Sequence, residues 1–459
     1  MNIIKAPYHF KGGIHPAGHK ELSAAIPIEI MPPFAAGTRI RVPLQQHLGA
    51  PATPAVAPGD RVLRGQLVGA AKGFVSANVH APTSGQVYAV DYRAPVATGQ
   101  QSVPHVVIEA DGLDERRMSE AWPDWDGKDA KALIGRIAEA GIVGMGGAGF
   151  PTHVKLSPPP EKKIDTLIIN GAECEPYLTG DHRAMLEYPQ EILEGVAILQ
   201  HILGAKTVRI AIEEDKQDAI ECIRLHSTAF DCHRLPSTAI VSLKAMYPQG
   251  SEKQLIYALT GRNVPVSGLP MDIGCLVENV GTVLAIRNAV VKGWALDERI
   301  VAVTGPAISS PRNFIARVGT PYRTLVEAAG GLGKAVKIIA GGPMMGFAQY
   351  TLDIAVTKTT SGILALRAED CAAYESAACI SCGRCNVACP QRFLPSEMGQ
   401  FIEADDIDEA KALGLMGCFE CGTCSYVCPA RRPLVQHFRR AKAAVALSRT
   451  SLKGTEAQR

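Results

Sequence analysis

Over roughly the first 120 residues, apolar positions alternate with polar ones in short runs broken by turn residues, which is the rhythm of half-buried strands. Residues 56–68 set a Pro58-Gly59-Asp60 turn ahead of one such run, and residues 80–87 set Pro82, Ser84 and Gly85 ahead of another. From Asp126 the period changes. Residues 130–140 repeat at helical spacing, and strand-like 166–169, 207–212 and 239–243 alternate with helix-like 191–203 and 216–226, which predicts an α/β segment. Further helices are expected to open at Glu252 and after Asn279. Strand character returns at 300–305 and 336–342 around a short helix at 324–329. The remainder is helical, with an acidic helix over 398–414 and an amphipathic one carrying Leu434, Phe438, Ala441 and Val445. The pattern divides the chain into a β-rich hairpin domain (1–125), an α/β domain (126–295), a short β-rich domain (296–366), a helical domain (367–447) and a basic tail (448–459).

A length of 459 residues agrees with that many units. Lys and Arg total 47 against 45 Asp and Glu, and the resulting net charge of +2 excludes a general nucleic-acid binder. No apolar run reaches the length of a membrane span, and the amino terminus lacks the apolar core of a signal peptide, so the expectation is a cytoplasmic protein at most peripheral to a membrane. From Ala430 onward eight basic residues face one acid, Glu456. Such a stretch suits an acidic partner, anionic lipid or a plain solvated helix.

Chemistry enters with the cysteines. Cys379, Cys382, Cys385 and Cys389-Pro390 are repeated as Cys418, Cys421, Cys424 and Cys428-Pro429, which places eight of the thirteen cysteines in one doubled motif. This is the spacing of a two-cluster ferredoxin, in which a tight loop gives three thiolates to a 4Fe-4S cubane and the cysteine before proline in the other repeat gives the fourth. One cluster is therefore expected on Cys379, Cys382, Cys385 and Cys428, and the other on Cys418, Cys421, Cys424 and Cys389. Zinc prefers paired ligands, and disulfides do not suit a reduced compartment. Of the remaining cysteines, Cys222, Cys232, Cys275 and Cys371 read as small buried residues, whereas Cys174 lies in a loop of interest.

That loop is one of several. Gly141 to Gly149 contains five glycines in nine residues, and Gly144-x-Gly146-x-x-Gly149 matches a dinucleotide fingerprint in letters only, because a helix precedes it and Pro151 follows. What the glycines supply is backbone N–H groups without side chains in the way, as a phosphate or flat ring needs. The strand at 166–169 delivers Asn170-Gly171-Ala172-Glu173-Cys174-Glu175-Pro176, two carboxylates and an amide where open α/β sheets bind ligands. The loop Tyr247-Pro248-Gln249-Gly250-Ser251-Glu252 and the turn Asn279-Val280-Gly281-Thr282 follow.

In that order, Gly-Gly-Ala-Gly-Phe-Pro-Thr, Asn-x-x-Glu-x-Glu-Pro, Tyr-x-x-Gly-x-Glu and Asn-Val-x-Thr resemble the FMN- and NADH-binding subunit of respiratory complex I. With the carrier-like domain in front and the doubled ferredoxin motif behind, residues 8–445 resemble the RnfC family of Rnf electron-transport complexes. Phe10 to Pro16 and Gly341-Gly342-Pro343-Met344-Met345-Gly346 resemble it closely. The resemblance implies a multidomain α/β and α+β protein: a carrier-like barrel-sandwich domain, a Rossmann-like FMN/NADH domain, a β-grasp domain without a catalytic role and a two-cluster ferredoxin domain. Lys72 lies where carrier domains hold a modified lysine, but its neighbours match no modification signature.

The resemblance also implies site roles. Gly144, Gly146, Gly147 and Gly149 would line the FMN, Lys155 would reach its phosphate or ribityl chain, and Asn170 and Glu173 would contact the flavin. Phe150 would stack on NADH with Glu175 and Glu252 near its hydroxyls, Tyr247 and Gly250 belong to the same nucleotide loop, and Asn279 and Thr282 would close the pocket. Ala172 and Ser251 stand where the complex I family has Asp and Glu. A flavin converts a hydride's electron pair into single electrons, so FMN and two cubanes form a logical series between NADH and, in the opposite direction, ferredoxin or flavodoxin. Implied partners are integral-membrane and iron-sulfur subunits of an Rnf complex, with this chain peripheral on the cytoplasmic face of the bacterial inner membrane and coupled to cation movement. A soluble flavin and iron-sulfur reductase of the cobalamin-reductase type and a non-enzymatic relay are the alternatives.

Overall fold

The computed structural model describes residues 1–97, 102–230, 234–235, 237–266, 268–371 and 375–456. Its centre is a fully parallel five-stranded sheet in the order Asn2–Lys5, Thr238–Leu243, Thr207–Glu213, Thr166–Gly171, Cys275–Asn279. Period two decides the packing. Leu167, Ile169, Val208, Ile210 and Ile240 bury one face under helices Ala130–Glu139, Pro189–Leu203 and Val280–Val291. Ile168, Ala211, Val241 and Val277 bury the other under Glu252–Thr260. Burial on both faces is the condition that parallel sheets require. Thr166–Gly171 lies between the strand that follows it in the chain and Cys275–Asn279, which is reached by crossing the sheet, so chain order reverses beside it and a crevice opens at the carboxyl ends.

The edge strand Asn2–Lys5 corrects the 1–125 boundary: it belongs to this sheet by parallel pairing with Thr238–Leu243. Four consecutive exposed residues carry no burial pattern that sequence periodicity detects. Similarly, Glu29–Ile30 adds to the edge of a six-stranded mixed sheet made of Phe347–Gln349, Ala335–Ala340, Gly362–Arg367, Glu298–Thr304 and Arg312–Arg317. Its core joins Val301, Val303, Phe314 and Ile363 to Leu325 and Val326 of helix Tyr322–Ala328. Between these excursions the first domain closes two small antiparallel sheets around Ile40, Val42, Leu44, Val68, Val79, Val106 and Ile108.

The cysteine-rich unit packs Met398, Ile402, Leu415, Leu434, Phe438 and Ala441 into one core. The single acidic helix expected over 398–414 is two, Pro395–Glu403 and Ile407–Ala412. Asp405 adopts a left-handed φ of 56° between them, and Asp406 caps the second by accepting from Glu409 N. The tail boundary at 447 falls inside a continuous helix, Leu434–Glu456. Its basic residues are largely engaged within the chain: Arg432 pairs with Glu403, and Arg439 and Lys442 pair with Glu420 at 2.8 and 2.9 Å. Among the described residues no helix is long and apolar enough to cross a membrane. Cys232 and Arg459 lie outside the described residues.

Candidate functional site

Helix Ala130–Glu139 begins at Asp129, which accepts from Ala132 N, and ends in a turn at Gly141 with φ 66°, where a side chain would overlap Asn78 O. The glycine-rich loop that follows is tied at its base by Gly144 N donating to Phe150 O at 2.9 Å and by Met145 N donating to Thr282 Oγ1 at 2.9 Å. Its tip, Gly146, Gly147 and Ala148, is exposed, and among the described residues nothing accepts from those three amides. Only one helical turn follows, Thr152–Lys155, which agrees with the departure from a dinucleotide fingerprint. A Cβ at Gly146 would lie 3.0 Å from that of Asn279, so the loop rests on the start of helix Val280–Val291.

Two strand ends meet the loop. Asn170 donates to Gly250 O at 2.9 Å and accepts from Ala172 N at 3.1 Å, and a Cβ at Gly250 would overlap Ala172 O. Asn279 caps its helix by accepting from Gly281 N and Thr282 N and donates to Asp181 at 2.6 Å. Glu173 accepts from Asp181 N and His182 N, capping helix Gly180–Glu187. Burial and the neighbouring Glu173 push the Asp181 carboxyl up to about 7. Lys155, expected at the phosphate or ribityl chain, instead donates to Val277 O and pairs with Glu252 at 3.2 Å and Glu278 at 3.8 Å. Burial works against its charge, but those two carboxylates hold it above the ordinary lysine range. Phe150 is half-buried beside the loop.

The structure thus gathers Gly144 to Gly149, Phe150, Lys155, Asn170, Glu173, Gly250, Glu252, Asn279 and Thr282 around the carboxyl ends of the two strands. Glu175 and Tyr247 face elsewhere. The Glu175 carboxylate, expected at nucleotide hydroxyls, accepts from Met344 N at 3.1 Å and Met345 N at 2.8 Å, and Gly342 passes so close that a Cβ would overlap Glu175 Oε2. The Tyr247 hydroxyl donates to Cys421 O at 2.7 Å. Ile14 and Tyr247 exchange both backbone hydrogen bonds at 2.8 Å, and Gly13 N donates to Ala388 O. The two motifs without an assigned role, residues 10–16 and 341–346, are therefore the joints between the α/β domain and the cysteine-rich unit. Ile14, Tyr247, Ala388 and Cys421 form one apolar cluster with Cys174 and Met344 against it.

Burial raises Glu175 to about 7 from its ordinary 4.5, so between those values the folded chain binds more protons than the unfolded one. Stability from this group falls as pH rises through that window, by roughly 3 kcal/mol in all. Glu175→Gln is expected to flatten the decline in melting temperature between pH 5 and pH 8. An unchanged slope would exclude Glu175 as its source.

The repeat in the cysteine motif is a repeat in conformation. Ser381 and Glu420 are left-handed at φ 55° and 61°, and their amides donate to Cys379 Sγ and Cys418 Sγ, each at 3.4 Å. Cys379, Cys382, Cys385 and Cys428 line one cavity. Cys389 and Cys421 lie close enough to Cys418 and Cys424 for mutual charge repulsion, which adds to burial in pushing the Cys418 thiol up to about 11. Among the described residues no three Cys, His, Asp or Glu side chains converge as a single ion needs. Four thiols around a cavity, whose ionisation requires added cationic charge, fit a multi-atom cluster instead. The glycine loop likewise fits a phosphate-bearing ring, since its tip offers unpartnered amides and a Cβ at Gly147 would meet nothing.

Comparison with known proteins agrees with this layout. Four family models match: the RnfC barrel sandwich hybrid domain at 8–113, the Nuo51 FMN-binding domain at 137–288, the SLBB domain at 300–348 and the 4Fe-4S dicluster domain at 372–439. The chain is 46% identical to the corresponding subunit of the proton-translocating ferredoxin:NAD(+) oxidoreductase complex of Clostridium ljungdahlii, over 95% of this chain and 93% of that one. The chain belongs to the RnfC family of Rnf-type oxidoreductase complexes. It is 43% identical to the Na(+)-translocating counterpart of Acetobacterium woodii, with 96% and 98% covered, and 43% identical to the RnfC-type subunit of the ion-translocating oxidoreductase complex of Rhodobacter capsulatus, with 96% and 83% covered. An NAD+-reducing [NiFe]-hydrogenase in the H2-reduced state is similar in fold, with a TM-score of 0.51, 18% identity, and 72% of this chain and 68% of that chain covered.

As a member of this family the chain is an oxidoreductase subunit of an electron-transport complex, with an FMN-binding domain and a 4Fe-4S dicluster domain. Sequence reasoning missed Asp181, Arg299 and Lys20 at this site. Lys20 donates to Leu178 O at 2.7 Å and to Glu173 O, and Arg299 donates to Lys358 O at 2.6 Å and Met145 O at 3.5 Å. Arg299 and Lys20 come from outside the α/β domain, and neither carries a local pattern that points to it.

Proposed function

We propose that this chain is the NADH-facing electron-input subunit of a membrane-bound, ion-coupled NADH:ferredoxin oxidoreductase of Rnf type, peripheral on the cytoplasmic face of the membrane beside integral-membrane and iron-sulfur subunits. FMN, when bound, takes up the electron pair of a hydride and releases it singly, and each cubane carries one electron. Gly144 to Gly149, Asn170, Asn279 and Thr282 would hold the FMN, and Phe150 and Glu252 stand on the open side available to a nucleotide. Cys379, Cys382, Cys385 and Cys428 would hold one cluster, and Cys389, Cys418, Cys421 and Cys424 the other.

The observation that carries the reading is the contact between Tyr247 Oη and Cys421 O, inside an apolar cluster that also takes in Cys174 of the strand-end loop. It supports the Cys389 quartet as the inner one, against the α/β domain. The Cys379 quartet faces outward: Cys382 is exposed, and Ile380, Val387 and Tyr426 near the two clusters are 65%, 79% and 57% exposed. The inner quartet is therefore read as the one that exchanges electrons with the flavin domain and the outer quartet as the one that meets the partner. Residues 298–367 are read as a β-grasp-like unit whose task is to brace this joint through Met344 and Met345.

Purified anaerobically, the chain should release one non-covalent FMN on acid extraction and contain about eight irons, four per cubane. No flavin, or half that iron, would contradict the proposal.

A further inference from the structure

Arg299 stands on strand Glu298–Thr304 of the mixed sheet, yet its half-buried side chain reaches across to the glycine-rich loop. Nε donates to Ile300 O at 3.1 Å, and Nη1 donates to Lys358 O and Met145 O. All three acceptors are neutral carbonyls. Among the described residues no carboxylate lies within ion-pair distance, and Nη2 has no partner. Asp181 acts on it only at longer range and is itself bonded to Asn279. Burial lowers the guanidinium to about 10, so it keeps its charge at neutral pH. A partly buried cation without a counter-ion is costly, and such a cost is offset when an external anion completes the site.

The other cations around the loop are otherwise engaged. Lys155 is neutralised by Glu252 and Glu278, Lys20 is bonded to the Glu173 and Leu178 carbonyls, and Lys358 Nζ donates to Asn78 O and Gly141 O on the far side. Arg299 alone combines charge with a free donor edge next to Met145, whose following three amides are also unpartnered. A guanidinium edge matches the oxygens of a phosphate, and exposed loop amides add to the same concavity.

We propose that Arg299 is the counter-charge for the phosphate of FMN held by the glycine-rich loop, the role that sequence reasoning had given to Lys155. This rests on the flavin reading above. The test is equilibrium binding to the full-length chain stripped of flavin, with the clusters retained, followed by quenching of flavin fluorescence. FMN and riboflavin, which lacks the phosphate, are titrated in parallel against wild type, Arg299→Gln and Arg299→Lys. Arg299→Gln is expected to weaken FMN about tenfold, the value of one charge-assisted hydrogen bond. Riboflavin binding should be unchanged, which also verifies that the variant is folded, and Arg299→Lys should recover part of the loss. FMN binding to wild type should weaken with salt more than binding to Arg299→Gln does. Equal loss of both ligands would reduce Arg299 to a brace for the loop and overturn the proposal, as would undiminished FMN binding. Wild type that binds neither flavin would overturn the flavin reading itself.

Discussion

Cys389→Ser and Cys418→Ser are expected to lose the same electron paramagnetic resonance signal in the dithionite-reduced protein, although the two residues belong to different repeats. Cys389 lies among the thiols of the second triplet, while Cys428 lines the cavity of the first. A hydroxyl is a poor ligand for iron, so either substitution should remove or degrade the inner cluster and leave Cys379, Cys382, Cys385 and Cys428 with their cubane. The inner position sets the size of the effect. Because the second-triplet loop touches Tyr247, its loss should abolish transfer to the partner while NADH still bleaches the flavin. Loss of different signals in the two variants would mean that each repeat binds its own cluster.

Gly147→Val is expected to abolish FMN retention while leaving the fold and both clusters intact. The reason is not backbone strain: Gly147 is absent from the left-handed region, and an added Cβ would meet no protein atom. The valine is tolerable to the empty protein and obstructive only to a ligand lying against the loop tip. Overpacking of a close contact costs about 1–3 kcal/mol, or roughly tenfold to more than a hundredfold in affinity. Gly250→Val is the contrast, since its side chain would overlap Ala172 O and should destabilise the α/β domain itself. Unchanged FMN content in Gly147→Val, by acid extraction, would move the flavin away from this loop.

Much of this was legible in the sequence because local pattern and tertiary role coincide. The period-two strands Thr166–Gly171 and Thr207–Glu213 and the helices between them fall where burial on both faces demands. The cysteine spacing is legible because the chemistry of a cubane dictates it. What stayed hidden depends on partners distant in the chain. Asn2–Lys5 is a strand only because Thr238–Leu243 offers an edge. Glu175 reads as a ligand-binding carboxylate until Gly342, Met344 and Met345, some 170 residues later, take up both its oxygens. Phe10 to Pro16 has no meaning until Tyr247 and Ala388 are beside it. Lys155 reads as a phosphate ligand until Glu278 and Glu252 neutralise it and Arg299 emerges from another sheet.

The most direct measurement is the anaerobic absorbance spectrum of the purified chain before and after NADH. The glycine-rich loop over the strand ends and the joint at Tyr247 predict a flavin band on top of the cluster absorbance, and its bleaching by NADH in wild type and Cys389→Ser alike. A cluster-replete chain that shows no flavin band, or one whose flavin band NADH leaves unchanged, would contradict electron input through this loop.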